Sequence, residues 1–394
     1  MTTVATARPD PFALTEEERA VRDIAREFAQ RELAPTVAQR DEDERYDRAL
    51  FDRMGELGLT AIPYPDQHGG AGMSYFAWVL AIEEIAAADM GMAVSLSVHV
   101  LSQLCIHLAG TDEQKARLLP PMAAGTHLGA FALTEPQAGS DAAALSLRAE
   151  PTDDGYLLTG TKVWITNAGE ADRFIVFATV DRKRGRQGIT AFAVSRDTPG
   201  FAIGTHERKM GIRDSSSAEL VFDGALVSSA DRLGAEGDGL RIALESLASG
   251  RISIASACTG LARAALEHAA SYAAQRTQFG RPIAEQQMIA ALLADAVVGV
   301  EASRLLTWRA ARLRDAGAAS DAIAAASSAA KMYASDTAMR VSTDAVQVYG
   351  GAGYSRDNPV ERFMRDAKGA QIYEGTNQVQ RLIIAQHLIE EIRR

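Results

Sequence analysis

The sequence predicts an α+β multidomain fold in which a helical domain, an antiparallel β sheet or barrel, and a helical bundle follow one another along the chain. Three observations carry this expectation. The spacing of apolar residues is helical up to about Gly125, takes the period of strands between about Leu128 and Ala235, and turns helical again after Gly239. No helix separates one strand from the next in the middle stretch, which argues against a doubly wound parallel sheet. A length of 394 residues suits two or three domains rather than one. The boundaries drawn from these changes are 1–127, 128–236 and 237–394.

In the first stretch Val21, Ile24, Ala25 and Phe28 follow helical spacing, and Thr15 followed by Glu18 reads as a capping box. Pro63-Tyr64-Pro65 and Gly69-Gly70 interrupt the pattern. A second helix runs through Trp78, Leu80, Ile82 and Ile85, and the apolar segment after Met92 reads as buried. GYLLTGTKVWITNA, RFIVFATV, GITAFAVS and AELVFDGALV are short β-rich runs, with Asp-Gly and Pro-Gly pairs as the turns between them. The last third carries helical patterns from Arg251 to Arg276, Ala290 to Ala316 and Ala322 to Val348. They are separated at Phe279-Gly280-Arg281-Pro282 and Gly350-Gly351-Ala352-Gly353.

Composition excludes several function classes. A net charge of −10 opposes binding to a polyanion, because nucleic-acid affinity rests on clustered Lys and Arg. Cys105 and Cys258 are the only cysteines, without CxxC or Cys/His spacing, so neither a disulfide framework nor a metal site is expected. The start reaches acidic, helix-forming sequence without the apolar core of a secretory signal. The apolar runs read as broken by charges before the roughly 20 residues that span a bilayer, so a soluble, cytoplasmic protein is expected.

Several strings carry chemistry-bearing residues, and each has an ordinary structural reading. FALTEPQAGSD (Phe131 to Asp141) reads as a turn between domains, since Pro136, Gly139, Ser140 and Asp141 are turn formers. In KVWITNAG, Trp164 alone reads as a core aromatic. Arg251, and Arg276 with Phe279 and Gln287 in RTQFG and EQQM, read alone as solvated helix-end residues. QVYGGAGY, from Gln347 to Tyr354, invites a dinucleotide-fingerprint reading, but Arg356 stands where the third glycine belongs and a helix, not a strand, precedes it. IYEGTNQVQR, from Ile372 to Arg381, puts Glu374 before Gly375 and a helix that Thr376 or Asn377 caps; alone, the carboxylate reads as a helix-start charge.

In their order from Phe131 to Arg381 these strings resemble the signatures of the acyl-CoA dehydrogenase family. RISIAS, SRLLTWRAARL and PVERFMRDAK are most like its short-chain, butyryl-CoA group. The resemblance implies FAD as cofactor. Phe131, Leu133, Thr134, Gly139 and Ser140 would lie along the flavin and the thioester end of the substrate, with Trp164, Ile165 and Thr166 by the isoalloxazine. Arg276, Phe279, Gln287, Gln347, Gly350 and Gly351 would reach the FAD of a neighbouring subunit in a homotetramer built as a dimer of dimers; Thr376 and Gln378 would also bind FAD. Ser140, Arg251, Tyr373 and Gly375 would contact substrate, and Glu374 would be the base. The implied partners are an acyl-CoA of about four to eight carbons and an electron-transfer flavoprotein as acceptor. Ala248 departs from many members, which have an Asp there, and puts a CoA contact in doubt.

The chemistry explains why such residues are needed. Removing hydrogen from a saturated carbon pair takes a base for the α proton and an acceptor for the β hydride, and no side chain accepts hydride. Enolate charge at the thioester oxygen needs donors, which the resemblance assigns to the backbone N–H of the base and a ribityl hydroxyl of FAD. Burial is expected to raise the pKa of Glu374. Some relatives carry the base directly before the channel arginine. Here that residue is Gly250, and Glu245, six positions before Arg251, is nearly two helical turns away. Related chemistry on a carrier-protein thioester, a flavin oxidase and a silent scaffold remain as alternatives; bleaching of a flavin spectrum by acyl-CoA separates the last from the rest.

Overall fold

The switches of period along the chain become switches of architecture. The computed structural model describes residues 12–393. Before the sheet come helices α1 (Glu16–Phe28), α2 (Val37–Glu42), α3 (Arg48–Glu56), α4 (Tyr75–Ala88), α5 (Met90–Ala109) and α6 (Asp112–Ala123). The capping box expected at α1 forms: Thr15 N–H donates to Glu18 Oε2 at 2.9 Å and Glu18 N–H to Thr15 Oγ1 at 3.2 Å.

The strands are β1 (Gly129–Ala132), β2 (Arg148–Thr152), β3 (Gly155–Thr166), β4 (Arg173–Thr179), β5 (Ile189–Ser195), β6 (Phe201–His206), β7 (Ser217–Ser228) and β8 (Arg232–Leu233). They form one sheet in the order β6-β7-β3-β2-β4-β5-β8, with β1 also on β4. Most pairs are antiparallel, as expected, but β1 lies parallel to β4 and β2 meets β4 in parallel at Arg148 and Thr179. The long connection between β1 and β4 allows this, since parallel neighbours need a crossover and not a tight turn. Asp223-Gly224 is not a turn. It lies inside β7, where the register with β3 shifts between Leu158 and Thr159, and Gly224 at φ 64° takes up the extra residue of a bulge.

Five more helices follow among the described residues: α7 (Gly239–Gln275), α8 (Gln287–Asp315), α9 (Ser320–Tyr349), α10 (Val360–Ala370) and α11 (Asn377–Arg393), with a small hairpin, β9 (Thr277–Gln278) and β10 (Arg281–Pro282), between α7 and α8. The axis of the molecule is α7, which packs on α4, α5, α8 and α9. It begins twelve residues earlier than Arg251, where the sequence pattern placed its start. Gly250 looks like a break but sits inside the buried helix, where packing offsets a propensity cost of roughly 1 kcal/mol. Small residues on α7 permit close crossing: a Cβ at Gly260 would run into the Glu83 carbonyl of α4.

One sequence expectation fails at α5. Its 20 residues contain no Asp, Glu, Lys or Arg, so by length and composition it could cross a membrane. Here it is a core helix, buried from Met90 to Ile106 and packed on α4, α7 and β1. Charge interruption was the wrong test, because a helix enclosed on all sides by protein is apolar all round.

Candidate active site

Between α10 and α11 the chain turns over Gln371 to Thr376, and two successive residues of the turn have positive φ: Glu374 at 53° and Gly375 at 90°. Gly375 adopts this freely, whereas a non-glycine residue costs roughly 1–3 kcal/mol there and persists only if its surroundings hold it. Three helices do so. Arg251 Nε from α7 donates to the Glu374 carbonyl at 3.3 Å, and Gln380 Nε2 from α11 donates to it at 3.2 Å. Gln380 also reaches the Gly375 carbonyl at 2.8 Å, which Lys331 Nζ from α9 meets at 2.9 Å. Asn377 continues the mesh, donating to Ser335 Oγ at 2.9 Å and Asp336 Oδ1 at 2.7 Å.

The Glu374 side chain does not serve α11. The cap is Thr376, whose Oγ1 accepts from Val379 N–H at 3.4 Å, while Glu374 Oε2 is buried without a hydrogen-bond partner. The carboxylate instead faces α7 at Gly250, where a Cβ would come within 2.7 Å of Oε2. That part of α7 is pinned by α4: Tyr75 hydroxyl donates to the Ser249 carbonyl at 2.7 Å, and Trp78 Nε1 donates to Ser253 Oγ at 2.8 Å. Glu245 is exposed and pairs with Arg241 at 3.3 Å, outside this cluster.

Electrostatics follow from burial. Desolvation pushes the Glu374 carboxyl up to about 7, against the pull of the Arg251 and Lys331 charges. Burial lowers Arg251 and brings Lys331 down to about 8. The hydroxyl of Tyr373, buried and without a partner, is held well above its ordinary value. A desolvated carboxylate that titrates near neutrality, next to a helix position without a side chain, has the properties of a general base.

A second cluster joins the string that leaves β1 to the string at the end of β3. Val163 N–H donates to the Thr134 carbonyl at 3.0 Å. Beneath it Lys162 Nζ, fully buried, bonds Glu135 Oε1 at 2.7 Å and the Leu133 carbonyl at 2.9 Å. Glu135 also accepts from Ser146 N–H at 2.6 Å and Leu147 N–H at 2.9 Å, so one carboxylate ties the turn-rich loop to β3 and to the segment that leads into β2. Sequence reasoning passed over this pair; the signal was a Lys and a Glu inside otherwise apolar or turn-forming strings. Trp164 is not a core aromatic. The β3–β7 register breaks between Lys162 and Ile165, Trp164 sits at φ 60°, and its side chain is left 59% exposed. Leu133 and Ile165 are buried, Phe131, Thr134 and Thr166 half-buried, and Gly139 and Ser140 exposed on the loop.

The remaining sequence-predicted residues lie elsewhere. Arg276, Phe279, Gln287, Gln347, Gly350 and Gly351 are all exposed, Phe279 at 94%. They gather where α7 and α9 end, joined by a Tyr272–Tyr349 ring stack at 4.0 Å. Along α7 the rise from Arg251 to Arg276 is about 37 Å. One chain therefore brings Arg251, Tyr373, Glu374 and Gly375 together but leaves the Arg276 group far off. Gln378 is exposed on the first turn of α11.

Comparison with known proteins covers the whole of this architecture. Family profiles match in chain order: the acyl-CoA dehydrogenase N-terminal domain over residues 15–126, the middle domain over 130–225 and the C-terminal domain over 237–389. An acyl-CoA dehydrogenase of Bacillus subtilis (strain 168) is 48% identical over 377 residues, 95% of this chain and 99% of that one. The structure of butyryl-CoA dehydrogenase from Megasphaera elsdenii superposes with a TM-score of 0.94 at 44% identity, covering 96% of this chain and 100% of that one. A chain from the structure of the electron transferring flavoprotein of Acidaminococcus fermentans, from work on flavin-based electron bifurcation, gives 0.94 at 45% identity, covering 96% and 99%.

Proposed function

The chain belongs to the acyl-CoA dehydrogenase family and is a flavin-dependent oxidoreductase acting on acyl-CoA thioesters, and from that premise we propose that Glu374 is the base that removes the α proton. The observation that carries this is the Glu374 carboxylate itself: buried and unpartnered at Oε2 on a half-buried residue, raised to about 7 and pressed against Gly250. At neutral pH such a group is partly ionised, takes a proton readily and releases it again. The Glu374 N–H is the chain's own donor toward the thioester oxygen, and the clamp on the neighbouring carbonyls keeps that peptide oriented. Arg251 lines the channel beside it, and Tyr373 and Ser140 contact the substrate.

FAD is the proposed flavin, and the residues present fit it. An aromatic ring turned out of the ladder at a bulge and left exposed, as Trp164 is, offers a flat face to a flat ring, and the Thr134–Val163 bond holds the two strings side by side. When bound, FAD supplies the acceptor for the β hydride. Phe131, Leu133, Thr134, Gly139, Ser140, Trp164, Ile165, Thr166, Thr376 and Gln378 are the residues assigned to it from the same chain.

The Arg276 group serves a neighbour's FAD in a homotetramer, a dimer of dimers. Its distance of about 37 Å along α7 from Arg251 and the exposure of Phe279 and Met288, 94% and 80%, support that reading. The division at 1–127, 128–236 and 237–394, a cytoplasmic setting in fatty-acid oxidation, and electron-transfer flavoprotein as acceptor complete it. Acyl chains of about four to eight carbons are preferred; faster turnover of palmitoyl than of butyryl and hexanoyl thioesters overturns that preference. The central test is Glu374→Gln. It is expected to bind acyl-CoA and perturb the flavin spectrum while reduction slows by roughly 10²–10⁴-fold or more. Reduction near the parent rate ends the assignment.

A further inference from the structure

Lys331 has no place in the roles given so far, yet its surroundings are unusual. It lies on an Ala- and Ser-rich stretch of α9 with its side chain fully buried. A buried ammonium costs several kcal/mol unless it is paired, and an apolar residue of similar volume would serve packing as well or better. Among the described residues Lys331 forms no ion pair. Its hydrogen bonds go to the Gly375 carbonyl at 2.9 Å and Asn377 Oδ1 at 3.0 Å, the residues on the C-terminal side of Glu374.

We propose that Lys331 is a positioning residue of the reaction, which holds the left-handed Glu374–Gly375 turn from α9 and supplies the charge that sets the pH at which the Glu374 carboxylate is available. This rests on Glu374 being the base. The hydrogen bond carries the first half: of the three side chains that meet the two carbonyls, Lys331 is the one that grips Gly375 and the start of α11 together. Location of charge carries the second. The groups facing the Glu374 carboxylate are Arg251 and Cys258 on α7, Tyr75 on α4, Tyr373 in its own loop and Lys331 on α9. Burial keeps the thiol and both phenols neutral over the working range, which leaves Arg251 and Lys331 as the charges that favour the ionised base. Asp336, also on α9, acts on Lys331 and Cys258 and is occupied by Asn377, Gln371 and Arg381.

The test uses the holoenzyme with butyryl-CoA and compares the parent, Lys331→Met, Lys331→Gln and Glu374→Gln. Methionine removes charge and donor; glutamine removes the charge and keeps a donor. Removing a nearby positive charge disfavours the carboxylate, so the acid limb of kcat/KM is expected to move to higher pH in both Lys331 variants. Relative to the parent, each then loses roughly tenfold more activity at pH 6 than at pH 8.5, about one pH unit of displacement. Above the limb, Lys331→Gln is expected to recover more kcat than Lys331→Met, with KM within about threefold of the parent in both. A merely structural lysine would lower activity equally at all pH values or lower the melting temperature alone. If Lys331→Met fails to fold, Lys331→Gln decides. Acid limbs that coincide with the parent's in the variants that fold overturn the inference. If Glu374→Gln instead reduces its flavin at near the parent rate, the assignment of the base is what has failed.

Discussion

Replacing Glu374 by glutamine is expected to make the protein more stable, with an advantage that grows from about pH 4.5 to pH 7 and is full above it. The carboxyl titrates near 4.5 in an unfolded chain and is pushed up to about 7 by desolvation in the folded one. Below pH 4.5 both states hold the proton and the group contributes nothing. Between 4.5 and 7 the folded protein retains a proton that the unfolded chain has released, so stability falls as pH rises, and above 7 the full penalty is present. The rise spans roughly 2.5 pH units, each worth about 1.4 kcal/mol, giving an upper figure of about 3.5 kcal/mol. Glutamine does not ionise. Urea denaturation of parent and Glu374→Gln, at equal subunit concentration and with FAD saturating in both, should give midpoints that agree at about pH 4 and diverge in favour of the variant at pH 8.5. An advantage equal at both pH values, or none at 8.5, would refute the claim that the folded protein carries an unpaired buried carboxylate for the sake of its chemistry.

Three further outcomes follow from the geometry. Gly250→Ala puts a methyl group within 2.7 Å of Glu374 Oε2, the tip of a side chain that can yield; melting should barely change, while flavin reduction by butyryl-CoA falls at least about tenfold, and an unchanged rate argues against contact at the reacting atom. Lys162→Met strands the Glu135 carboxylate without its counter-ion, a loss of roughly 3–5 kcal/mol in chemical denaturation. FAD retention should fall with it, since Glu135 also fixes the loop before Ser146. Arg276→Gln is expected to release FAD and to shift the proposed tetramer toward smaller species together in sedimentation; a monomer that keeps stoichiometric FAD contradicts the shared-site reading.

Much of this was legible beforehand, and the misses have physical causes. Change of hydrophobic period marked the sheet because strands and helices expose different repeats, and the capping box at Thr15 and Glu18 forms as the spacing required. Gly250 read as a gap without a base, and the structure shows the Glu374 carboxylate lying against that gap. What sequence could not supply were relations between distant residues. Lys331 is 43 positions from Glu374 on another helix, and nothing local separates it from a solvated lysine. Trp164 read by itself as core because aromatic residues in strands usually are; a bulge at one point of β3 reverses that. The Asp223-Gly224 pair has the chemistry of a turn, and only its partner strand shows that it bends β7 without ending it.

The burial of α5 also has a consequence for how the protein is made. This helix carries no Asp, Glu, Lys or Arg on any side, and α4, β1 and α7 enclose it. Those neighbours do not emerge together: α4 precedes it and β1 follows closely, but α7 is complete only at Gln275, 166 residues after Ala109. At roughly 5–20 residues per second, the ribosome leaves α5 without its last wall for about 10–30 s. During that interval a 20-residue uncharged segment, long enough to enter a bilayer, is open to solvent and to its counterparts on neighbouring nascent chains. Slower synthesis prolongs the exposure, whereas a holding chaperone that binds extended apolar sequence covers it. Yield in a host cell is therefore expected to depend on such chaperones more than the stability of the finished subunit would indicate.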